Sequence, residues 1–82
     1  MEYIFYGCSS LNELNLSNFY TNNVTDMRCI FEGCSSLKEL NLSNFNTNNV
    51  IDMIYMFYKC SYELEMKIRV KYKNIKREAF SS

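Results

Sequence analysis

The amino-acid sequence predicts an α/β solenoid, a right-handed coil with a short parallel β-sheet on one face and helical turns on the other. The main observation is a 26-residue repeat, since residues 1–26 and 27–52 are identical at 20 of 26 positions and a degenerate third copy starts at Met53. Repeats of this length are typical of solenoids, in which each unit buries its apolar side against its neighbours. The second observation is that the apolar spacing changes within each unit.

The strand of each unit is predicted by a spacing of two. Leu40 and Leu42 are separated by one polar residue, which is the pattern of a short strand with one buried face. The following run, residues 46–49, contains Asn and Thr side chains that bond readily to nearby backbone. A loop is therefore expected after the strand.

The helical turns are predicted by a longer spacing. Val50, Met53, Met56 and Phe57 recur at intervals of about three or four residues, which indicates one or two turns of helix. Their apolar side chains would pack against the sheet from the opposite side of the coil.

Two residue types mark the ends of these turns. Asp26 and Asp52 stand at the start, where a carboxylate faces the positive end of a helix. Gly7 and Gly33 stand at the end, where a residue with positive φ commonly terminates the helix. The two aspartates are therefore interpreted as residues that start the turns, and not as a catalytic acid and base.

The third unit departs from the pattern. Lys59 replaces the glycine, and after Cys60 apolar residues alternate with charged ones. This alternation predicts a strand of about nine residues, 64–72, that joins the sheet in register and protects its exposed edge with charge. The solenoid is thus assigned to residues 1–72, with units starting at 1, 27 and 53, and residues 73–82 to a loosely ordered basic tail.

The unit resembles a known repeat family. The segment Leu37-x-x-Leu40-x-Leu42 resembles the strand signature of leucine-rich repeats, and the recurring Cys-Ser-Ser-Leu and Leu-Ser-Asn-Phe steps resemble the 26-residue repeats of BspA-like surface proteins and Mycoplasma-type lipoproteins. This resemblance covers about residues 1–60. It implies a cell-surface or secreted protein of a bacterium or protist that acts in adhesion or partner binding. The chain carries no signal-peptide pattern, and it opens in mid-repeat, which suggests a piece of a longer array.

Charge is distributed unevenly although the formal net charge is zero. Residues 1–66 carry three basic and eight acidic side chains, whereas residues 67–82 carry six basic and one acidic. A solvated end strand with a frayed terminus explains this distribution most simply. The alternative is a weak binder of anionic polymer or lipid through the basic C-terminal segment.

Three of the four cysteines share one repeat position. Cys8, Cys34 and Cys60 are expected to stack at the strand spacing of about 4.8 Å as buried thiols that donate to loop carbonyls. A disulfide between two of them, or one that includes Cys29, is the first alternative. A zinc site is the second, although a column of ladder positions does not form a tetrahedron.

The composition argues against an enzyme. The chain has no His, so it lacks a Ser–His or Cys–His nucleophile pair, and it has no glycine-rich phosphate loop. No catalytic residue, cofactor or metal is predicted. No apolar run is long enough to span a membrane.

The candidate binding face is the outer surface of the sheet. In each unit three polar side chains point away from the inward leucines, and stacking in register places them in columns. A column of glutamates would attract a basic partner or a cation, unless Lys38 and Lys67 neutralise it locally. The nine residues are Glu13, Asn15, Ser17, Glu39, Asn41, Ser43, Glu65, Lys67 and Arg69.

These observations favour a non-enzymatic protein-interaction or adhesion module, a fragment of a cell-surface repeat protein, whose partner is a protein or host-surface ligand. The alternatives are a purely structural or vestigial repeat protein without a partner, and the anionic binder described above. No nucleic-acid partner is expected. Because only a few units are present, end-to-end self-association is a further expectation.

Overall fold

The computed structural model describes residues 2–80 and contains two strands and two helices within them. Strand β1 is Glu13–Asn15, strand β2 is Glu39–Asn41, helix α1 is Tyr62–Lys71, and a 3₁₀ helix follows at Arg77–Ala79. The two strands pair in parallel with Leu14 opposite Leu40, a shift of one 26-residue repeat. The predicted stacking of equivalent strand residues is confirmed for the first two units.

The turn side of each unit is joined to the next unit by a main-chain ladder. The N–H groups of Tyr3, Phe5 and Gly7 donate to carbonyls 25 residues further on, at distances of 3.2, 2.9 and 2.8 Å. Four N–H groups of the second unit repeat this pattern toward the third, from Met27, Cys29, Phe31 and Gly33. Alternate residues thus bond between units, as in a strand.

The predicted helical turns are consequently wrong in detail. Residues 28–33 and 54–59 form hydrogen-bonded turns, in which Cys34 N–H donates to Phe31 O and Glu32 N–H donates to Cys29 O. A helix would require the intervening N–H groups as well, but these donate to the next unit. Two residues per unit have positive φ: Tyr3, Cys29 and Tyr55 at the first position, and Gly7, Gly33 and Lys59 at the second. The prediction of positive φ at the glycines is confirmed.

The core is a layered stack of equivalent side chains. Phe5, Phe31 and Phe57 are stacked with ring centroids 5.6 and 5.2 Å apart, and Phe80 continues the stack at 5.4 Å from Phe57. Leucines from the strand side and methionines from the turn side fill the space around the rings. The fully buried members of this core include Leu16, Met27, Ile30, Leu37, Leu42, Met53 and Met56.

The strand predicted at residues 64–72 is wrong, because this segment forms helix α1. Ser61 caps the helix, since its Oγ accepts a hydrogen bond from Leu64 N–H at 3.1 Å. Glutamates occupy the first turn and basic residues the last, which suits the helix dipole. Leu64 and Ile68, four residues apart, are the two buried side chains of the helix. Alternating charge and apolarity permitted a strand, but the cap and charge order favour the helix.

The C-terminal segment, residues 73–80, contacts the turn side of the third unit, within the range 73–82 for which a loosely ordered tail is predicted. Ala79 is fully buried, and its carbonyl accepts a hydrogen bond from Phe57 N–H at 2.7 Å. The Glu78 carbonyl accepts from Tyr55 N–H at 3.1 Å. This segment therefore occupies the place that a further unit would take on the turn side. Residues 81–82 lie outside the described part of the chain.

Two strands and the turn rows beside them are too few to establish a solenoid, so that fold class remains a prediction. Within residues 2–80, no helix has both the length and the apolar character needed to cross a bilayer.

The helical state of residues 62–71 can be tested by replacing Val70, which is 67% exposed, with alanine. In a helix this change removes a β-branched residue and should raise the free energy of unfolding by up to about 0.5 kcal/mol. In a strand the same change would lower it. Urea denaturation of the wild type and Val70→Ala measures the difference, and a lower stability of the variant would contradict the helix.

Candidate interaction surface

Four of the six candidate residues of the first two units lie on the paired strands as predicted, whereas the two serines lie beyond the strand ends. Glu13 lies opposite Glu39 and Asn15 opposite Asn41 in the parallel register, and both glutamates are exposed. Both are acidic side chains on neighbouring strands, an unfavourable arrangement unless a cation is nearby. Ser17 and Ser43 follow the strands.

The two asparagines have a local structural role. The Asn15 side-chain oxygen accepts from Ser17 N–H at 2.9 Å, and the Asn41 oxygen accepts from Ser43 N–H at the same distance. Each asparagine thus fixes the turn that ends its strand. Their side-chain oxygens are already engaged in these turns, whereas Glu13 forms no ion pair among residues 2–80.

The other three candidate residues do not continue the columns, because they lie on α1 and not on a third strand. Lys67 nevertheless reaches the sheet, where Nζ lies 2.7 Å from a Glu39 carboxylate oxygen and 3.2 Å from the Lys38 carbonyl oxygen. The predicted local neutralisation by Lys67 is confirmed for Glu39. This hydrogen bond holds the pKa of Glu39 below its usual value and raises the pKa of Lys67.

Glu65 and Arg69 pair with each other along the helix. Arg69 Nε lies 2.9 Å from a Glu65 carboxylate oxygen, and the guanidinium lies 4.5 Å from the centre of the Phe80 ring. These contacts tie α1 to the C-terminal segment. Lys67 and Arg69, two of the six basic residues within 67–82, therefore have carboxylate partners.

A groove of about 450 Å³ lies between β2 and α1. It is lined by the buried side chains of Leu40 and Leu64 and by the charged side chains of Glu39, Lys67 and Lys71. Met66 and Val70 on α1 are 41% and 67% exposed beside it. Sequence reasoning missed this groove because it depends on residues 62–71 being a helix.

The β2 edge that faces α1 is closed at its ends by side chains. Ser61 Oγ donates to Leu37 O at 3.4 Å, Lys67 Nζ donates to Lys38 O, and Leu42 N–H donates to the Tyr72 hydroxyl at 2.9 Å. Between these bridges, the register directs the Leu40 N–H and C=O away from β1. Among residues 2–80 no hydrogen-bond partner on that side is found for either group.

The prediction that the stacked thiols donate to carbonyls is confirmed for Cys34, which is buried, and for Cys60, which is partly buried, but not for Cys8. Cys34 Sγ and Cys60 Sγ each lie 3.1 Å from a phenylalanine carbonyl oxygen of the preceding unit, Phe5 and Phe31 respectively. All four cysteines are free thiols. Burial raises the pKa of Cys60 to about 12, and the neighbouring Cys34 adds to this effect. Burial likewise raises the pKa of Cys34.

Arg28 forms an ion-pair network that the sequence interpretation missed. Its guanidinium lies 2.9 Å from Glu2, 2.9 Å from Asp26 and 3.7 Å from Asp52. Hydrogen bonds from Arg28 hold the pKa of Asp26 below its usual value. Asp26 and Asp52 also accept hydrogen bonds from the N–H groups two residues on, both at 3.0 Å, so each starts its turn as predicted. The sequence contains a signal for this network, because Glu2 and Arg28 occupy the same repeat position and carry opposite charges.

A family model matches residues 1–78, and its description is "Mycoplasma protein of unknown function, DUF285". The chain belongs to DUF285. The Mycoplasma-type part of the resemblance is thereby confirmed, whereas membership of the BspA-like leucine-rich repeat group remains a prediction. No curated protein and no solved structure matches this DUF285 chain. Among its residues 2–80, no group of three or more His, Cys, Asp and Glu side chains is arranged to hold a metal.

The raised pKa of Cys60 should cause the DUF285 chain to lose stability at alkaline pH. The unfolded thiol ionises near 9.0, whereas the native thiol keeps its proton until about pH 12, so stability falls as the pH rises through this window. Between pH 9 and pH 11, the free energy of unfolding of Cys60→Ala should fall by on the order of 2 kcal/mol less than that of the wild type. Urea denaturation at each pH measures the two curves. Curves that stay parallel above pH 9 would contradict the assignment.

The Arg28 network should stabilise the DUF285 chain modestly because its members are about one third to two fifths exposed. Arg28→Gln should lower the free energy of unfolding by about 0.5–1 kcal/mol at low ionic strength. The loss should shrink in 1 M NaCl, where charges are screened within about 3 Å. Lys73→Gln, at an exposed position, is the matched control. A loss that is equal at both salt concentrations would show that charge is not the cause.

Proposed function

We propose that the chain is a non-enzymatic protein-interaction module that binds an extended segment of a protein partner in the groove between β2 and α1. The observation that carries this proposal is the open main chain of Leu40. An N–H and a C=O that lack partners at a strand edge form the arrangement that accepts an added strand. The exposed apolar side chains of Met66 and Val70, which also line the groove, would contact a side chain of the partner.

The closed ends of the β2 edge limit the length of the added segment. Lys67 bridges to the sheet on one side of Leu40, and Tyr72 bridges on the other. About three to four residues would fit between them at the strand rise of about 3.3 Å per residue. Lys67 is the more adaptable bridge, because its side chain is 45% exposed. A partner N–H could take its place on the Lys38 carbonyl.

Charge at the rim would select the partner. Glu39 and Lys67 neutralise each other, whereas Glu13 has no ion pair among residues 2–80 and Lys71 lies over the Tyr72 ring without a carboxylate partner there. A segment with a basic residue toward β1 and an acidic residue toward the end of α1 would complement both. Of the nine candidate residues, Glu13, Glu39 and Lys67 are thus the ones that we expect to contact the partner. The other six are expected to maintain the structure of this surface.

Family membership and repetition support the wider setting. We propose that the module belongs to a cell-surface repeat protein of the BspA-like leucine-rich type, built as a solenoid and used in adhesion. The support is the DUF285 match together with main-chain ladders that repeat from unit to unit. Binding of anionic polymer through residues 67–77 is less favoured, because Lys67 and Arg69 are already paired.

The proposal can be tested with a synthetic peptide of residues 37–45, LKELNLSNF, which is the strand that the repeat itself places beside another strand. Titration into ¹⁵N-labelled protein should shift the amide signals of Leu40 and of α1. Met66→Glu, at the groove, should weaken binding by about fivefold or more through lost apolar contact. Ile54→Glu, on the turn side at similar exposure, is the matched control.

Four outcomes would count against this function. Shifts confined to other surfaces would place the site elsewhere, and equal effects of Met66→Glu and Ile54→Glu would remove the groove from the interaction. In a control peptide, proline replaces the leucine that corresponds to Leu40, and proline lacks an N–H. Unchanged binding of this peptide would show that main-chain pairing is not involved. Absence of any binding would favour the purely structural alternative.

A further inference from the structure

The ladder on the turn side has a direction. N–H groups of one unit donate to carbonyls of the following unit, as between Phe5 and Ile30 at 2.9 Å and between Phe31 and Met56 at 2.9 Å. The thiols run the opposite way, because Cys34 and Cys60 donate back to the preceding unit. Each unit therefore offers donors on its forward side and mainly carbonyls on its backward side.

The first unit leaves its backward side open. The carbonyls of Glu2, Ile4 and Tyr6, which correspond to the acceptors of the second unit, receive no hydrogen bond within residues 2–80. The Cys8 thiol likewise has no carbonyl acceptor in this part of the chain, although the Cys34 and Cys60 thiols do. The same groups that join the second unit to the first are thus available again.

Apolar side chains of the first unit are correspondingly more exposed than their equivalents in the second unit. Ile4 is 48% exposed whereas its equivalent, Ile30, is completely buried. Phe5 stacks on Phe31 on one side only, but Phe31 is stacked on both sides. Leu11 is partly exposed whereas Leu37 is buried. These differences arise at positions with identical residues, so their cause is the missing neighbour and not the sequence.

The forward side of the third unit is already occupied. Its N–H groups donate to the C-terminal segment, from Met53 to the Glu78 carboxylate at 2.9 Å and from Phe57 to Ala79 O. The Phe80 ring covers Phe57. A second copy of the chain therefore has no open row of donors to offer. Two copies meeting at their first units would place carbonyl against carbonyl on the turn side.

We propose that the backward side of the first unit is a docking surface for one further coil of the same 26-residue pattern, oriented so that its N–H groups face the open carbonyls. Such a coil supplies the row of N–H donors, a phenylalanine ring for Phe5 and a carbonyl for Cys8. It continues the interface that the first two units already form. The surface is separate from the β2–α1 groove, so either proposal can fail without the other.

The experiment fuses a copy of residues 27–52 directly ahead of Met1 in the full chain. The midpoint of thermal unfolding should rise by about 5 °C or more, and the urea m-value should increase because more surface is exposed on unfolding. Native-state alkylation should show Cys8 reacting as slowly as Cys34. Matched controls are the same 26 residues in scrambled order ahead of Met1, and the intact copy placed after Ser82.

Equal stabilisation by the scrambled copy, or by the copy after Ser82, would overturn the proposal, since neither supplies donors to the first unit. A Cys8 that still reacts at its original rate in the fusion would also overturn it. The unfused chain provides the remaining test, by sedimentation over a range of concentrations. Dimerisation that protects Cys8 would show that this surface pairs with a second copy instead.

Discussion

The directional main-chain ladder is the constraint on which the rest of the structure depends. Because alternate N–H groups are committed to carbonyls 25 residues further on, the turn side cannot close into a helix. The two residues of positive φ in each unit follow from this geometry. At Gly33 a side chain would lie 3.4 Å from the Gly7 backbone, so glycine also permits the close approach of the units. Lys59 adopts the same positive φ at the equivalent position of the third unit, where a side chain meets the backbone strain that glycine avoids.

The C-terminal part of the chain completes the ladder with different chemistry. Where a regular unit would offer backbone groups to β2, Ser61, Lys67 and Tyr72 offer a hydroxyl, an ammonium and a phenol. On the turn side, the Glu78 carboxylate substitutes for a backbone carbonyl. Side chains cover polar groups only where they reach, which is why the main chain of Leu40 stays open between Lys67 and Tyr72. The candidate groove results from this incomplete coverage.

The repeat made much of the structure predictable from sequence. Register, the stacked thiols, and positive φ at Gly7 and Gly33 all follow from placing equivalent residues in columns. The failures lie where repetition ends. Residues 64–72 alternate in a way that suits a strand, and only the cap at Ser61 and the order of charges distinguish a helix. The fate of residues 73–80 depends on contacts with Tyr55 and Phe57, which no local pattern reveals.

The six positions at which the first two units differ have a consequence for folding. Twenty identical positions give the first two units nearly the same backbone and core side chains, so packing alone distinguishes them poorly. The Glu2–Arg28 ion pair is specific to the correct neighbours, because the equivalent residue of the third unit is Ile54, which carries no charge. The divergent charges of Glu2 and Arg28 thus favour the native order of the coils over other pairings.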